Sequence, residues 1–188
     1  MPDSAPDRQQ ALDLLLRYNE TASLRAHGLA VEAAMRYQAR KHGEDEEKWG
    51  VIGLVHDLDY EKYPEVHCQK TEEILRQEGW PEEYIRAVLS HGWGLVNDVE
   101  PQTLLEKTLY TVDELSGFVS ACALVRPSKS VRDLEVKSVK KKWKQKSFAA
   151  GVDRQVVENG IGMLGSDFNT VTGEVIAAMR EVADDIGL

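Results

Sequence analysis

The chain has 188 residues, 42% of them hydrophobic and 29% charged, and a formal net charge of -9. That length carries a substantial core, while so acidic a balance argues against nucleic acid as a partner, because phosphate attraction needs an excess of Lys and Arg. Two cysteines, Cys68 and Cys122, without CxxC spacing exclude a disulfide framework or a cysteine-rich zinc site and read as plain thiols of a reducing cytosol.

In chain order, residues 1–10 are polar and lack the apolar segment of a secretory signal. Leu12, Leu15 and Leu16 predict a short first helix. Thr21 or Ser23 caps a second, whose face carries Leu24, His27, Ala30, Val31, Ala34 and Met35, and His42-Gly43 ends it. The acidic run Glu44 to Glu47 suits the start of a third helix. That helix passes through Trp49, Ile52 and Val55 into His56-Asp57, and a loop follows from Tyr60 to Pro64. A fourth helix is expected from Glu65 to Gly79. A fifth, with Pro81 in its first turn, stops at His91-Gly92. Pro101 opens a long sixth with Leu105, Leu109, Val112, Ser116 and Val119, closed by Arg126-Pro127. Residues 137–146 are strongly basic, and further helices are expected around 153–159 and 170–186.

No run alternates with period two, and no apolar run approaches the roughly 20 residues that span a bilayer. The expected fold class is all-α, one domain over residues 1–188, located in the cytoplasm with no membrane partner. Gly160, Gly162 and Gly165 spell GxGxxG, but a helical pattern, VDRQVVEN, precedes them where a dinucleotide site needs a strand. They read as a loop or helix cap.

The chemistry lies in the histidines. His27 sits inside an apolar helical face, His56-Asp57 closes the hydrophobic stretch VIGLVHD, His67 falls at the expected start of one helix and His91 at the end of the next. Only His42 has polar surroundings, and it reads as a surface residue. Helical spacing sets Asp113 beside Leu109, Val112, Ser116 and Gly117, on or at the edge of the buried face. A buried carboxylate needs a partner, and neutral imidazoles offer none, whereas a divalent cation satisfies carboxylate and imidazoles together. Nitrogen and oxygen donors of this kind suit Mn, Fe, Co, Ni or Zn.

The order His27, His56-Asp57, Asp113, with LRAHGLAVEAAM before, GLVHDLDYEKYPEVH in the middle and SHG after, resembles the HD-domain superfamily of metal-dependent phosphohydrolases. The resemblance covers residues of about 20–125, leaving about 126–188 as a C-terminal helical extension. Residues from VRPSKS through SVKKKWKQKSFAAGVDR also resemble a group of bacterial HD hydrolases of undefined substrate. The resemblance implies an HD-like helical bundle. It implies the metal ligands His27, His56, Asp57, His67, His91 and Asp113, with Asp57 as the bridge of a binuclear site. The alternative is one ion held by His27, His56, Asp57 and Asp113 with His91 nearby. The implied reaction is hydrolysis of a nucleotide or other small phosphorylated compound. Asp57 and His56 are the catalytic candidates, and Asp59, with Glu61, is a supporting or proton-transfer group. Lys141, Lys142, Lys146 and Arg154 are the candidates for holding phosphate, and Trp143 for stacking on a base. Two other functions fit the residues: a di-iron oxygenase, and a binding module without catalysis.

Overall fold

The computed structural model describes residues 5–188, and residues 1–4 lie outside them. Helix α1, Arg8–Tyr18, begins in a capping box in which Asp7 accepts from Gln10 N–H and the Gln10 side chain accepts from Asp7 N–H. Its buried residues are Ala11, Leu14 and Leu15, and Leu16 is 43% exposed. The apolar face is therefore rotated from the one that Leu12, Leu15 and Leu16 predict.

Helix α2, Ala22–His42, ends as expected at Gly43, whose φ of 69° is the left-handed turn that glycine takes without strain. At its start Thr21 makes no side-chain cap. The Glu61 carboxylate instead accepts from the N–H groups of Glu20 and Thr21, so Glu61 serves a helix end. Helix α3, Glu46–Val55, is capped by Asp45 and packs closely on α2. Gly53 sets that approach: a Cβ there would lie 2.9 Å from Met35 Cγ and 3.2 Å from the Val31 carbonyl.

The fourth helix starts later than the sequence predicts. Pro64 supports a single 3-10 turn, Pro64–Val66, and Cys68 then takes φ 68°, which breaks the chain direction before α4, Gln69–Gln77. Helix α5, Glu82–Leu89, has Pro81 as its N-cap, not in its first turn, and leads into a 3-10 turn, Ser90–Gly92. Helix α6, Leu104–Leu124, begins at a Thr103–Glu106 capping box, past Pro101, because those side chains satisfy the free N–H groups that proline cannot. Helices α7, Val136–Trp143, α8, Arg154–Met163, and α9, Phe168–Glu181, complete the chain. Helix α9 starts earlier than expected, because Asp167 caps it through Asn169 N–H and Thr170 N–H, and it also stops earlier, at Glu181.

Gly160 and Gly162 lie inside α8 and Gly165 sits just beyond it at φ 60°. A Cβ at Gly160 would collide with Thr111 of α6. These glycines serve helix packing and a helix end.

The fold is all-α: among the described residues there is no strand, only an isolated bridge between Trp93 and Asn97. Helix α2 packs against α3, α6 and α9, and α6 packs in turn against α8 and the second 3-10 turn. One apolar cluster joins them, running from Ala11 through Met35, Leu54, Leu109 and Phe118 to Met179 and Ile186. Among the described residues no helix is long and apolar enough to cross a membrane.

Candidate metal centre

Six polar side chains converge where α2, the end of α3, the two 3-10 turns and α6 meet. His27 comes from α2, His56 from the C-cap of α3, Asp57 from the next residue, His67 from the break before α4, His91 from the turn after α5, and Asp113 from the middle of α6. His56 is fully buried, whereas the Asp57 side chain keeps 18% of its surface open to a cavity.

The two oxygens of Asp57 face different partners. Oδ2 lies 3.4 Å from His56 Nε2 and 3.8 Å from His27 Nε2. Asp113 Oδ1 closes that group at 2.9 Å from His27 Nε2 and 3.2 Å from His56 Nε2. Asp57 Oδ1 lies 3.3 Å from His91 Nε2 and 3.5 Å from His67 Nε2. The two Nε2 atoms of His67 and His91 are 3.1 Å apart.

The far side of each ring decides its tautomer. His56 Nδ1 donates to the Gly53 carbonyl at 2.8 Å and His91 Nδ1 to the Val88 carbonyl at 2.6 Å. A carbonyl only accepts, so the proton sits on Nδ1 and the Nε2 lone pair points into the cluster. His67 Nδ1 lies 2.7 Å from Asp59 Oδ1. Asp59 is fully buried, and its Oδ2 accepts from Thr71 N–H at 2.9 Å. It stands behind His67, not in a solvated loop and not on the cavity, and fixes the orientation of that ring.

Imidazole lone pairs aimed at one another and at carboxylates fit a cation. Four donors, from His27, His56, Asp57 and Asp113, lie within 4.8 Å of one another, and so do donors of His67, Cys68 and His91. The groups also act on one another as acids and bases. Burial alone would lower His56, but the charges of Asp57 and Asp113 outweigh it and raise the ring to about 10. Burial lowers His67, but Asp59, Cys68 and the charge of Asp57 together raise it to about 9, and Cys68 and Asp57 hold His91 well above its ordinary value against its own burial. Burial works to raise Asp57 and Asp113, but the imidazoles hold both far below the usual carboxylate range. Protons and a divalent cation therefore compete for the same lone pairs.

The cavity over Asp57 has a volume of about 430 Å³. Tyr60, Leu95 and Val96 line one side, and Glu114, Gly151 and Asp153 another. Burial, then the Asp113 charge, pushes the Glu114 carboxyl up to about 7, and the carboxylate accepts from Asp153 N–H at 3.0 Å. Sequence reasoning missed Glu114, although it adjoins Asp113 on α6, and it missed Asp153, which only the tertiary fold brings to this wall.

None of the four expected phosphate-binding residues lines this cavity. Lys141 is exposed on α7, and Lys142 Nζ sits 4.7 Å from the centre of the Phe148 ring. Lys146 lines an adjoining depression that shares Gly151 and Asp153 with the cavity. The Arg154 guanidinium donates to the carbonyls of Trp143, Gln145 and Phe148 and stacks on the Phe118 and Trp143 rings. Trp143 packs against Phe118 and Phe168 as an anchor for α7.

A family model described as HD domain matches residues 24–117, half of the chain. That span begins on α2 and ends on α6, and it contains all six converging side chains. No curated protein and no solved structure matches the chain.

Proposed function

The chain belongs to the HD-domain family, and from that premise we propose that it is a metal-dependent phosphohydrolase acting on a nucleotide or another small phosphorylated compound. The observation that carries the reading is the division of Asp57, with Oδ2 toward His56 and His27 and Oδ1 toward His91 and His67. On this reading His27, His56 and Asp113 would hold one cation and His67 and His91 a second, with Asp57 contributing to both. Divalent transition metals there supply an activated water and neutralise charge on a phosphoryl oxygen.

The chain's own residues do the rest. Gly53 and Val88 carbonyls and Asp59 hold the Nδ1 side of three rings, so that the proton an incoming cation displaces is the one on Nε2, the atom that faces the cluster. Leu95, Val96 and Tyr60 give the cavity an apolar wall beside the polar cluster. Lys146, in the adjoining depression, is the basic residue best placed to meet a substrate phosphate that extends past Gly151 and Asp153. We treat residues 1–188 as one functional domain, because Gly151 and Asp153 of the extension share a cavity with His27 and Asp113.

The test is phosphate release from a panel of nucleotides and small phosphoesters, using protein loaded with Mn, Fe, Co or Ni. Turnover is expected, and it is expected to vanish in His56→Ala with the helical circular dichroism retained. Absence of turnover on every phosphoester, with metal shown to be bound, would refute the reading. The same split of Asp57 also suits two irons that activate oxygen. Iron-loaded protein that consumes oxygen with a reductant, and releases no phosphate, decides for that second reading.

A further inference from the structure

We propose that Cys68 is a protein ligand of the second cation, so that this position is a mixed site of His67, His91, Asp57 and a cysteine thiolate. The inference rests on the two-cation reading above and adds a donor to it. The ligand class follows from the donor: a thiolate selects zinc, iron or cobalt over manganese or magnesium.

Cys68 is not placed like a core thiol. It is 1% exposed, yet it stands outside the apolar cluster that contains the other cysteine, Cys122. Its backbone takes φ 68° and ψ -43°, a conformation that side-chain-bearing residues rarely adopt. That conformation breaks the chain between His67 and α4 and lets two consecutive residues serve one cluster. Such outliers persist where surrounding structure holds them, and they collect at functional sites.

Its neighbour across the site is fitted to it. A Cβ at Gly92 would lie 2.6 Å from Cys68 Sγ and 2.8 Å from Asn97 Nδ2. Asn97 is fixed in turn by donating to the Leu89 carbonyl at 2.8 Å. A residue other than glycine after His91 would push the thiol away.

Around His91 Nε2 the spacing is that of ligands around one ion. With bonds of about 2.0–2.1 Å to nitrogen or oxygen and about 2.3 Å to sulfur, tetrahedral donors stand roughly 3.4–3.6 Å apart. Here His91 Nε2 lies 3.8 Å from Cys68 Sγ, 3.3 Å from Asp57 Oδ1 and 3.1 Å from His67 Nε2, while His67 Nε2 to Asp57 Oδ1 is 3.5 Å. Charge agrees. Two divalent cations bring four positive charges against Asp57, Asp113 and, behind His67, Asp59, and one thiolate offsets the buried charge that remains. On binding, the thiol proton leaves to solvent and the sulfur lone pair makes the bond.

Cobalt(II) tests this directly. Chelator-stripped full-length protein is titrated with cobalt, the bound ions are counted, and the near-ultraviolet sulfur-to-cobalt charge-transfer band is recorded beside X-ray absorption at the cobalt edge. Expected are two cobalt ions, a sulfur scatterer and the band in the wild type and in Cys122→Ser. Cys68→Ser is expected to lose the band and to weaken one of the two sites by about tenfold or more, the scale of losing even a supporting group. Because the sulfur scatterer is read on the wild type, a misfolded Cys68→Ser does not spoil the test. Two bound cobalt ions without sulfur, a band that survives in Cys68→Ser, or only one ion bound without sulfur overturns the proposal and leaves the phosphohydrolase reading standing. A sulfur-bearing two-cobalt centre that turns over no phosphoester does the reverse. No bound cobalt at all overturns both.

Discussion

Asp59→Asn separates the two halves of the centre. Asp59 has no exposed surface, and each of its oxygens has one donor: His67 Nδ1 at 2.7 Å and Thr71 N–H at 2.9 Å. Asparagine keeps the shape but turns one acceptor into a donor. If its oxygen faces Thr71, its NH₂ meets His67 Nδ1, which must then shed its proton to Nε2, the atom that faces Asp57 and His91. If its oxygen faces His67, the NH₂ abuts the Thr71 N–H, and a buried unsatisfied donor costs about 1–3 kcal/mol. Loss of such a supporting group lowers metal affinity about 10–100-fold, which is about 1.4–2.8 kcal/mol at one site. His27, His56 and Asp113 make no contact with Asp59 among the described hydrogen bonds, so the other site is expected to keep its affinity. Calorimetric titration of zinc into stripped protein reads both sites at once. Equal weakening of both, or no weakening of either, would show that Asp59 does not act through His67.

Two further outcomes are expected. In chelated protein His56 stands at about 10 and His67 at about 9 against an ordinary 6.5, so their ion pairs stabilise fully below about pH 6.5 and are lost as pH rises through 9 to 10. Cys68, lowered to about 7 by the imidazoles despite burial, opposes this between pH 7 and 9, but it is one group against several. The melting temperature of chelated protein should fall from pH 6.5 to 9.5 while the gain from added metal widens; a melting temperature that rises over that range contradicts the assignment. Arg154→Ala removes three carbonyl contacts and two ring stacks, and about 2–4 kcal/mol of stability should go with them in urea unfolding. Unchanged stability with a raised KM would instead assign Arg154 to substrate, as the sequence reading expects.

Much of the fold is legible because helices carry their own punctuation. Gly43 ends α2, Asp45 begins α3, and the apolar spacing of α6 runs unbroken to Leu124. The errors fall where distant groups decide. Pro64 and Glu65 look like a helix start, yet the helix waits until Gln69, because His67 is drawn to Asp59 and Cys68 turns left-handed between them. The basic residues of α7 are plain in the sequence, but their direction is not: Trp143 turns inward onto Phe118, and the lysines stay off the cavity wall. Cys68 gave no signal at all, since its role depends on a backbone angle and on Gly92 across the site.

The histidines divide along the same line. His56 and His91 each follow the end of a helix and donate Nδ1 to the carbonyl three residues back, Gly53 or Val88, in the last turn. Last-turn carbonyls lack the helix partners that earlier ones have, so a histidine closing a helix finds an acceptor locally. Its ring is then fixed with Nε2 outward by sequence-near geometry alone, and both residues could be picked out as helix-closing from the primary structure. His67 has no such carbonyl and depends on Asp59 and, through Thr71, on the start of α4. The position around Asp57 Oδ2 therefore has an anchor, His56, that is preorganised by a single helix end, while the position around Oδ1 couples one such anchor to a longer-range arrangement of Asp59, His67 and Cys68. On the two-cation reading, that asymmetry makes the second position the one whose metal content is expected to respond to changes outside the centre.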